Sequence, residues 1–376
     1  MRRLLPLLTV LLSLLVPAAA FAALPAGEIR LGAVWSVTGA GASYAALQPA
    51  GAQLAVDEVN ASGALGGARL ALDERDDRSS ASRAAELFTQ LIDTGAVALL
   101  GPTLSNSALQ ADRVAQGRGV PVLGVSNTGD GVLDIGDVVF RDSLSERAVQ
   151  PRTVAVTHRR LHYRRAAIVW ATPDAYSKTG HDVFREALRG TPGVRIVADR
   201  SFASDSANGY RRALRRIARK RPDALFVSAL APDAVKVMKA ARRIRALRAV
   251  PFIGGNAFNA PGLIAQGGRA AQGAISGAAW IATEDTPGNA AFVAAFRARF
   301  GTAPDQFAAQ SYTGVKLLAE AIRRADSSDP RAIRDALAGL RDVDTVLGRF
   351  SFGPDREPQY TPVVQQIRGG RYVRIG

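Results

Sequence analysis

"VPVLGVSN" occupies residues 120–127 and "VPFIGGNA" residues 250–257. Each opens on Val-Pro, places a glycine four residues after the valine, and breaks off into small polar residues. A short apolar run that ends this way reads as a buried strand meeting its C-terminal loop. The likeness extends outward from both copies. Ahead of the first lie strand-like "IRLGAVW" (29–35), helix-patterned "ALQPAGAQLAVDEVNASG" (46–63), strand-like "ARLALDERDD" (68–77), helical "SRAAELFTQLIDTG" (82–95), strand-like "AVALLG" (96–101) and helical "SALQADRVAQGRG" (107–119). Ahead of the second the order recurs: "RRAAIVWA" (164–171), "GHDVFREALRG" (180–190), "VRIVADRSF" (194–202), "YRRALRRIARKRP" (210–222), "DALFVSAL" (223–230) and "DAVKVMKAARRIR" (233–245). Four strands and three helices thus occur twice. Such alternation predicts a parallel, doubly wound α/β sheet. About 350 residues beyond the leader exceed what one core serves, so two similar lobes are expected.

The rest completes these lobes and does not make a third. "GAISGAAWIAT" (273–283) is followed by helical "NAAFVAAFRARFG" (289–301), "AAQSYTGVKLLAEAIRRA" (308–325) and "PRAIRDALAGL" (330–340), then by hairpin-like "RFSFGPDREPQYTPVVQQIRGGRYVRI" (349–375). The chain is therefore expected to cross between lobes near 145, 280 and 347. The first lobe takes residues 23–145 and 280–346, the second 146–279 and 347–376.

At the N-terminus Arg2 and Arg3 precede the apolar run Leu4 to Val16 and the small-residue pattern Ala20, Phe21, Ala22. This is the pattern of a secretory signal peptide over 1–22, with an apolar core short for a membrane span. Cysteine is absent, which excludes a disulfide framework and a lipid-anchored cysteine. The expectation is a freely diffusing, monomeric protein of the periplasm. The net charge is +15, mostly arginine. In "YRRALRRIARKRP" the residues Ala213, Leu214, Ile217 and Ala218 share one helical face and the arginines the other, which reads as a solvated surface. Without interleaved aromatics, a zinc pattern or a recognition motif, nucleic acid is not an expected partner.

In an open parallel sheet the ligand crevice lies beyond the carboxyl ends of the strands. The residues placed there are Trp35 to Tyr44, Asp76, Asp77, Pro102 to Ser107 and Ser126 to Thr128 in one lobe, and Thr172 to Tyr176, Ser228 to Leu230 and Asn256 to Phe258 in the other. A helix begins at Ser105 to Ser107, where free N–H groups and the positive end of the helix dipole suit an anion. A lone Ser or Asn there is ordinarily an N-cap. Two such clusters at successive strand ends point instead to a seat for a carboxylate or similar polar group, with Ser105, Ser126 and Thr128 as its hydroxyls.

Catalysis finds little support. His158, His162 and His181 lack metal-ligand spacing, there is no Gly-x-Ser-x-Gly elbow, and "GPTLSNS" lacks the Gly-Lys-Ser/Thr ending of a phosphate loop. Asp76 and Asp77 read as a strand-end turn. No cofactor or metal is expected.

The order of elements, together with "GPTLSNS" (101–107), "GVSNTGD" (124–130), "YSKTG" (176–180) and "DVDTVLG" (342–348), resembles the periplasmic solute-binding proteins of branched-chain amino-acid ABC transporters. The resemblance covers nearly all the chain beyond the leader. It implies the type I periplasmic binding fold, two lobes joined by three crossovers, with a transporter permease as partner. By position it implies that Ser105 and Thr128 bond a ligand carboxylate, helped by the backbone at Ser126, and that Thr128 and the Ser126 carbonyl meet its ammonium. Tyr176 would close over the ligand, Tyr44 would line the entrance, and Trp35 would wall the side-chain pocket or else pack in the core. Where the family carries an acid facing the ammonium this chain has Asn256, and where an aromatic is frequent it has Leu230. Either another acid such as Asp174 substitutes, or the ligand is an amide, an aromatic acid or a keto acid. The alternative role is the ligand-binding component of a sensory system for such compounds.

Overall fold

The structure, a computed structural model, describes residues 27–376; the expected signal peptide lies outside them. Fifteen strands are described. The first five are β1 (Gly27–Trp35), β2 (Ala68–Asp76), β3 (Ala98–Leu100), β4 (Val122–Gly124) and β5 (Val139–Arg141). They form one parallel sheet in the order β2-β1-β3-β4-β5. The next five are β6 (Arg165–Thr172), β7 (Arg195–Ala203), β8 (Ala224–Ser228), β9 (Phe252–Gly254) and β10 (Ile275–Ala278). They repeat the arrangement as β7-β6-β8-β9-β10, again parallel. The two Val-Pro segments thus become equivalent strands, β4 and β9. Helices cover both faces of the sheets, which is why the central strands are apolar on both sides: Leu99, Leu100, Val122, Leu123, Phe226, Val227, Phe252 and Ile253 are all fully buried.

After β5 the chain passes through 142–145 into the helix Glu146–Leu161, capped by Ser145, whose side chain accepts from the Ala148 N–H. It leaves again after β10. The helix Gln306–Ala325 returns to pack along Gln48–Ser62, and its Val315, Leu318 and Ile322 enter the core built on Leu31 and Leu100.

The third crossing is displaced from its expected position at 347. Strands β11 (Val343–Thr345), β12 (Gly348–Phe352) and β13 (Pro358–Gln359) form a small sheet of their own. From it Phe350 and Phe352 enter the first-lobe core, Phe352 edge-on to Phe140 with ring centroids 5.2 Å apart. Only β14 (Val363–Arg368) and β15 (Arg371–Arg374) join the second sheet, β14 running antiparallel to β10. The alternation around Phe350 and Phe352 suits either sheet; burial of the two rings, about 1.5–3 kcal/mol each, holds this segment on the first.

The lobes touch across the crevice. Tyr44 and Phe307 from the first lobe sit in an apolar cluster with Val227, Ala257, Phe258 and Leu263 of the second.

Candidate functional site

Strand ends from both sheets converge on the crevice. β3 leaves its sheet through Gly101, at φ +88°, where a Cβ would stand 2.2 Å from the Val34 carbonyl oxygen, so only glycine lets the chain turn here. The turn delivers Thr103 and Leu104 to the start of the helix Ser105–Arg118. Leu104 occupies the N-cap and provides no side-chain hydrogen bond, so the first-turn N–H groups lack the usual cap. The Ser105 hydroxyl oxygen accepts from the N–H groups of Thr128 (3.3 Å) and Gly129 (3.0 Å). Its own proton is left to donate elsewhere.

Together these groups bound a cavity of about 320 Å³ between the lobes, lined by Tyr44, Thr103, Leu104, Ser105, Ser126, Thr128, Tyr176, Leu230, Asn256, Ala257 and Phe307. The mix of apolar wall with a few polar groups is typical of small-molecule sites. Seven of the eight sequence-predicted positions are brought together here: Ser105, Ser126, Thr128, Tyr176, Asn256, Leu230 and Tyr44.

Trp35 is the exception. It is fully buried in the first-lobe core, does not line the cavity, and donates its indole N–H to Glu74 at 2.8 Å. The last residue of a nine-residue strand still carries the burial pattern of that strand, so its ring points into the sheet's packing. Asp76 and Asp77 order the strand-end loop: Asp76 accepts from the N–H and hydroxyl of Thr38, and Asp77 from the Ser79 N–H at 2.7 Å. Asp174, offered as a substitute acid, caps the helix Ala175–Arg189 by accepting from Ser177, and does not line the cavity.

An acid absent from the sequence reading stands directly behind the wall. Glu146 is fully buried, and its Oε1 accepts from the Thr128 hydroxyl (3.1 Å), the Asn256 side-chain amide (2.8 Å) and the Asn256 N–H (3.3 Å). Gln150 donates to Oε2. Burial pushes the Glu146 carboxyl up, and the donors from Asn256, Gln150 and Thr128 oppose that shift. Gly255 permits the approach, since a Cβ there would lie 2.1 Å from Glu146 Oε2. In sequence this residue is only a Glu following a Ser N-cap, the commonplace start of a helix. Nothing local marks it as facing the other lobe.

Because the Thr128 hydroxyl proton goes to Glu146, its oxygen presents lone pairs to the cavity. The Asn256 amide is likewise spent on Glu146 and on the Leu144 carbonyl. Ser126 donates to the Thr103 carbonyl and accepts from Gln48, so its hydroxyl is structural in this state. One end of the cavity therefore offers acceptors backed by a carboxylate, and the adjoining end offers donors at a helix start.

The lobes are joined by bonds onto helix N-termini. Tyr44 accepts from the Ala231 N–H (2.6 Å) at the start of Ala231–Arg242, and Asn106 accepts from the Ala175 N–H (2.9 Å) at the start of Ala175–Arg189. Thr179 accepts from the Asp130 N–H at 2.9 Å. Tyr44 also meets Phe307 edge-on, with centroids 5.3 Å apart, closing the apolar side of the cavity. Tyr176 accepts from the Ala257 N–H at 3.0 Å and so stays on its own lobe.

The sequence profile described as periplasmic binding protein matches residues 28–371. A Leu/Ile/Val-binding protein of Rhizobium johnstonii is 26% identical over 355 residues, 92% of this chain and 93% of that relative. Among solved structures, the branched-chain amino acid transporter substrate binding protein LivJ from Streptococcus pneumoniae, in complex with isoleucine, superposes with a TM-score of 0.84 at 27% identity, covering 93% of this chain and all of that one (100%). A solute binding protein of R. palustris in complex with benzoate shares the fold, with a TM-score of 0.80 at 23% identity over 93% of this chain and 96% of that one. A duplicated parallel α/β unit, a crevice at its strand ends and the profile match all agree: the chain belongs to the periplasmic binding protein family.

Proposed function

We propose that this protein captures a small apolar α-amino acid, of the branched-chain type, in the cavity between its lobes and hands it to an ABC importer. The observation that carries the reading is the pairing of Glu146, behind Thr128 and Asn256, with Ser105 at an uncapped helix start. An α-amino acid bears its ammonium and carboxylate on neighbouring atoms, and these adjoining patches of acceptors and donors match that pair. Ser105 donates to the carboxylate, the Thr128 oxygen accepts from the ammonium, and Glu146 balances its charge from behind. Leu104, Leu230, Ala257 and Phe307 receive the apolar side chain. Asn256 relays the charge of Glu146 where the family carries an acid. The names and ligand of the Rhizobium and Streptococcus relatives support the same class.

Transport rests on differential binding. Tyr44, Asn106 and Thr179 bond across the crevice only in the closed form, so a ligand held by both lobes shifts the population toward closure. A permease that recognises the closed form then receives the solute on opening, and no covalent bond changes. The expected signal peptide over residues 1–22 supports a periplasmic setting for this exchange, with the protein acting as a monomer.

A melting screen of the apo protein against amino acids, their amides, their keto acids and aromatic acids such as benzoate tests the assignment. At a hundredfold excess over its dissociation constant the true ligand adds about 2.7 kcal/mol of stability. Branched-chain amino acids are expected to give that shift. Stabilisation by deaminated acids or amides alone would overturn the ligand class.

A further inference from the structure

The positive charge of this protein is not spread over it. Residues 27–145 and 280–362, which build the first lobe and its small sheet, hold 18 Lys and Arg against 25 Asp and Glu. Residues 146–279 and 363–376, which build the second, hold 28 against 8. The lobes therefore carry −7 and +20. A general bias toward arginine would leave both lobes basic; the second is instead both enriched in cations and stripped of acids. Of its eight acids, Glu146, Asp174 and Asp233 are occupied at the site or at helix starts.

The cations gather on the outer helices. The helices Gly209–Ala218 and Ala231–Arg242 enclose a groove of about 870 Å³ whose rim carries Arg211, Arg215, Lys236, Lys239 and Arg243, all exposed. Lys239 and Arg243 also line a neighbouring hollow with Arg242 and Arg269. Within the first groove Lys236 is paired, with Asp233 at 2.9 Å. Arg242 is tied down, lying over the Phe252 ring at 4.0 Å and donating to the Arg248 and Val250 carbonyls. Arg215, Lys239 and Arg243 project into solvent, and Arg211, which donates to Asn208 at 3.2 Å, stands exposed beside them.

We propose that this face of the second lobe docks reversibly on an anionic lipid surface. The charge suits a polyanion, and the shape of the patch favours headgroups over a protein partner. Protein interfaces centre on a buried apolar and aromatic core. Here, among the described residues, the large apolar side chains left exposed are Val37 and Leu161, and neither lines these grooves. A diffuse layer of long cationic side chains without an apolar anchor gives weak, salt-sensitive attachment to phosphate headgroups. The acidic first lobe would be repelled, so the molecule orients with its second lobe toward the membrane.

The test is sedimentation of the full mature chain with vesicles of phosphatidylcholine alone, and with vesicles of two parts phosphatidylcholine to one part phosphatidylglycerol. The wild type is expected to bind only the second kind and to be released as salt rises. Each cation near the headgroups contributes about fivefold in affinity, so Arg211→Gln, Arg215→Gln, Lys239→Gln and Arg243→Gln combined are expected to weaken binding by more than about a hundredfold. An equal loss of net charge on the first lobe, by Arg69→Gln, Arg113→Gln, Arg297→Gln and Arg331→Gln, is expected to leave binding within about threefold. Both variants must keep the wild-type melting temperature. The proposal is overturned by absence of binding to the anionic vesicles, by equal losses in the two variants, or by tighter binding to a poly-glutamate peptide than to the vesicles, which would assign the face to an acidic protein.

Discussion

Replacing Glu146 by glutamine removes one charge and leaves the shape of the wall. The fold can accept the change: Gln150 Oε1 is buried and without a hydrogen-bond partner among the described residues, so a flip of the Gln150 amide lets it accept from the new side chain. The magnitude follows from the geometry. Glu146 Oε1 lies 3.1 Å from the Thr128 oxygen, and an ammonium bonded to that oxygen would stand about 6 Å from the carboxylate. At an effective dielectric of about 20 this is roughly 3 kcal/mol, or about a hundredfold in affinity. Calorimetry on Glu146→Gln is expected to show branched-chain amino acids binding about 10–100-fold more weakly, with their keto acids unchanged or tighter. A pH series sharpens the test. Burial raises the Glu146 carboxyl, so its charge is lost sooner on acidification than that of an exposed glutamate. Amino-acid affinity should fall with pH in the wild type and stay flat in the variant. The unliganded protein follows the opposite sign: the contribution of this group to stability is present below the ordinary glutamate range and lost as pH rises through the raised value. Equal losses for amino and keto acids, or none for amino acids, in a variant with an unchanged melting temperature would refute the reasoning.

Tyr44→Phe leaves the Ala231 N–H without its cross-lobe acceptor and should weaken ligand binding by about 1–2 kcal/mol, roughly tenfold, as read by calorimetry; unchanged affinity would remove this bond from the closure mechanism. Asn106→Ala takes the acceptor from the Ala175 N–H and should cost about 1 kcal/mol of closure, seen in small-angle scattering as a larger ligand concentration needed to reach the compact form. Asp305, which caps Gln306–Ala325 through Ala308, has its carboxyl pushed up to about 7 by burial. Its contribution to stability is present below about pH 4 and lost as pH rises through about 7, so the wild type should lose up to about 1.4 kcal/mol per pH unit there relative to Asp305→Asn, which keeps the cap. Urea melts of both proteins across that range read the difference, and parallel curves would contradict it.

Most of the architecture could be read from the chain because parallel strands, buried on both faces, advertise themselves as short apolar runs. The two Val-Pro strands, the helices between them and the strand-end clusters all obey local rules. So the cavity collects Ser105, Ser126, Thr128, Tyr176, Leu230, Asn256 and Tyr44. What escaped was set by contacts between distant segments. Trp35 ends a strand at the crevice, yet its ring direction depends on packing against the helices behind it. The displaced crossing near 360 depends on Phe352 meeting Phe140, more than 200 residues away in sequence. Glu146 looks like any acid in a first helical turn until the fold brings Asn256 of its own lobe and Thr128 of the other onto it. The charge asymmetry needed the lobes themselves, since the arginines had to be assigned to a surface before their sum meant anything.

One titration bears most directly on the central claim: the unmodified, unliganded protein against L-leucine and, in parallel, against the keto acid that differs from it only at the amino group. Saturable binding of leucine at one site, at least about tenfold tighter than the keto acid, is the expected result, because a buried carboxylate behind acceptor groups rewards an ammonium. Equal or tighter binding of the keto acid, or binding of neither while benzoate saturates the site, would contradict the account.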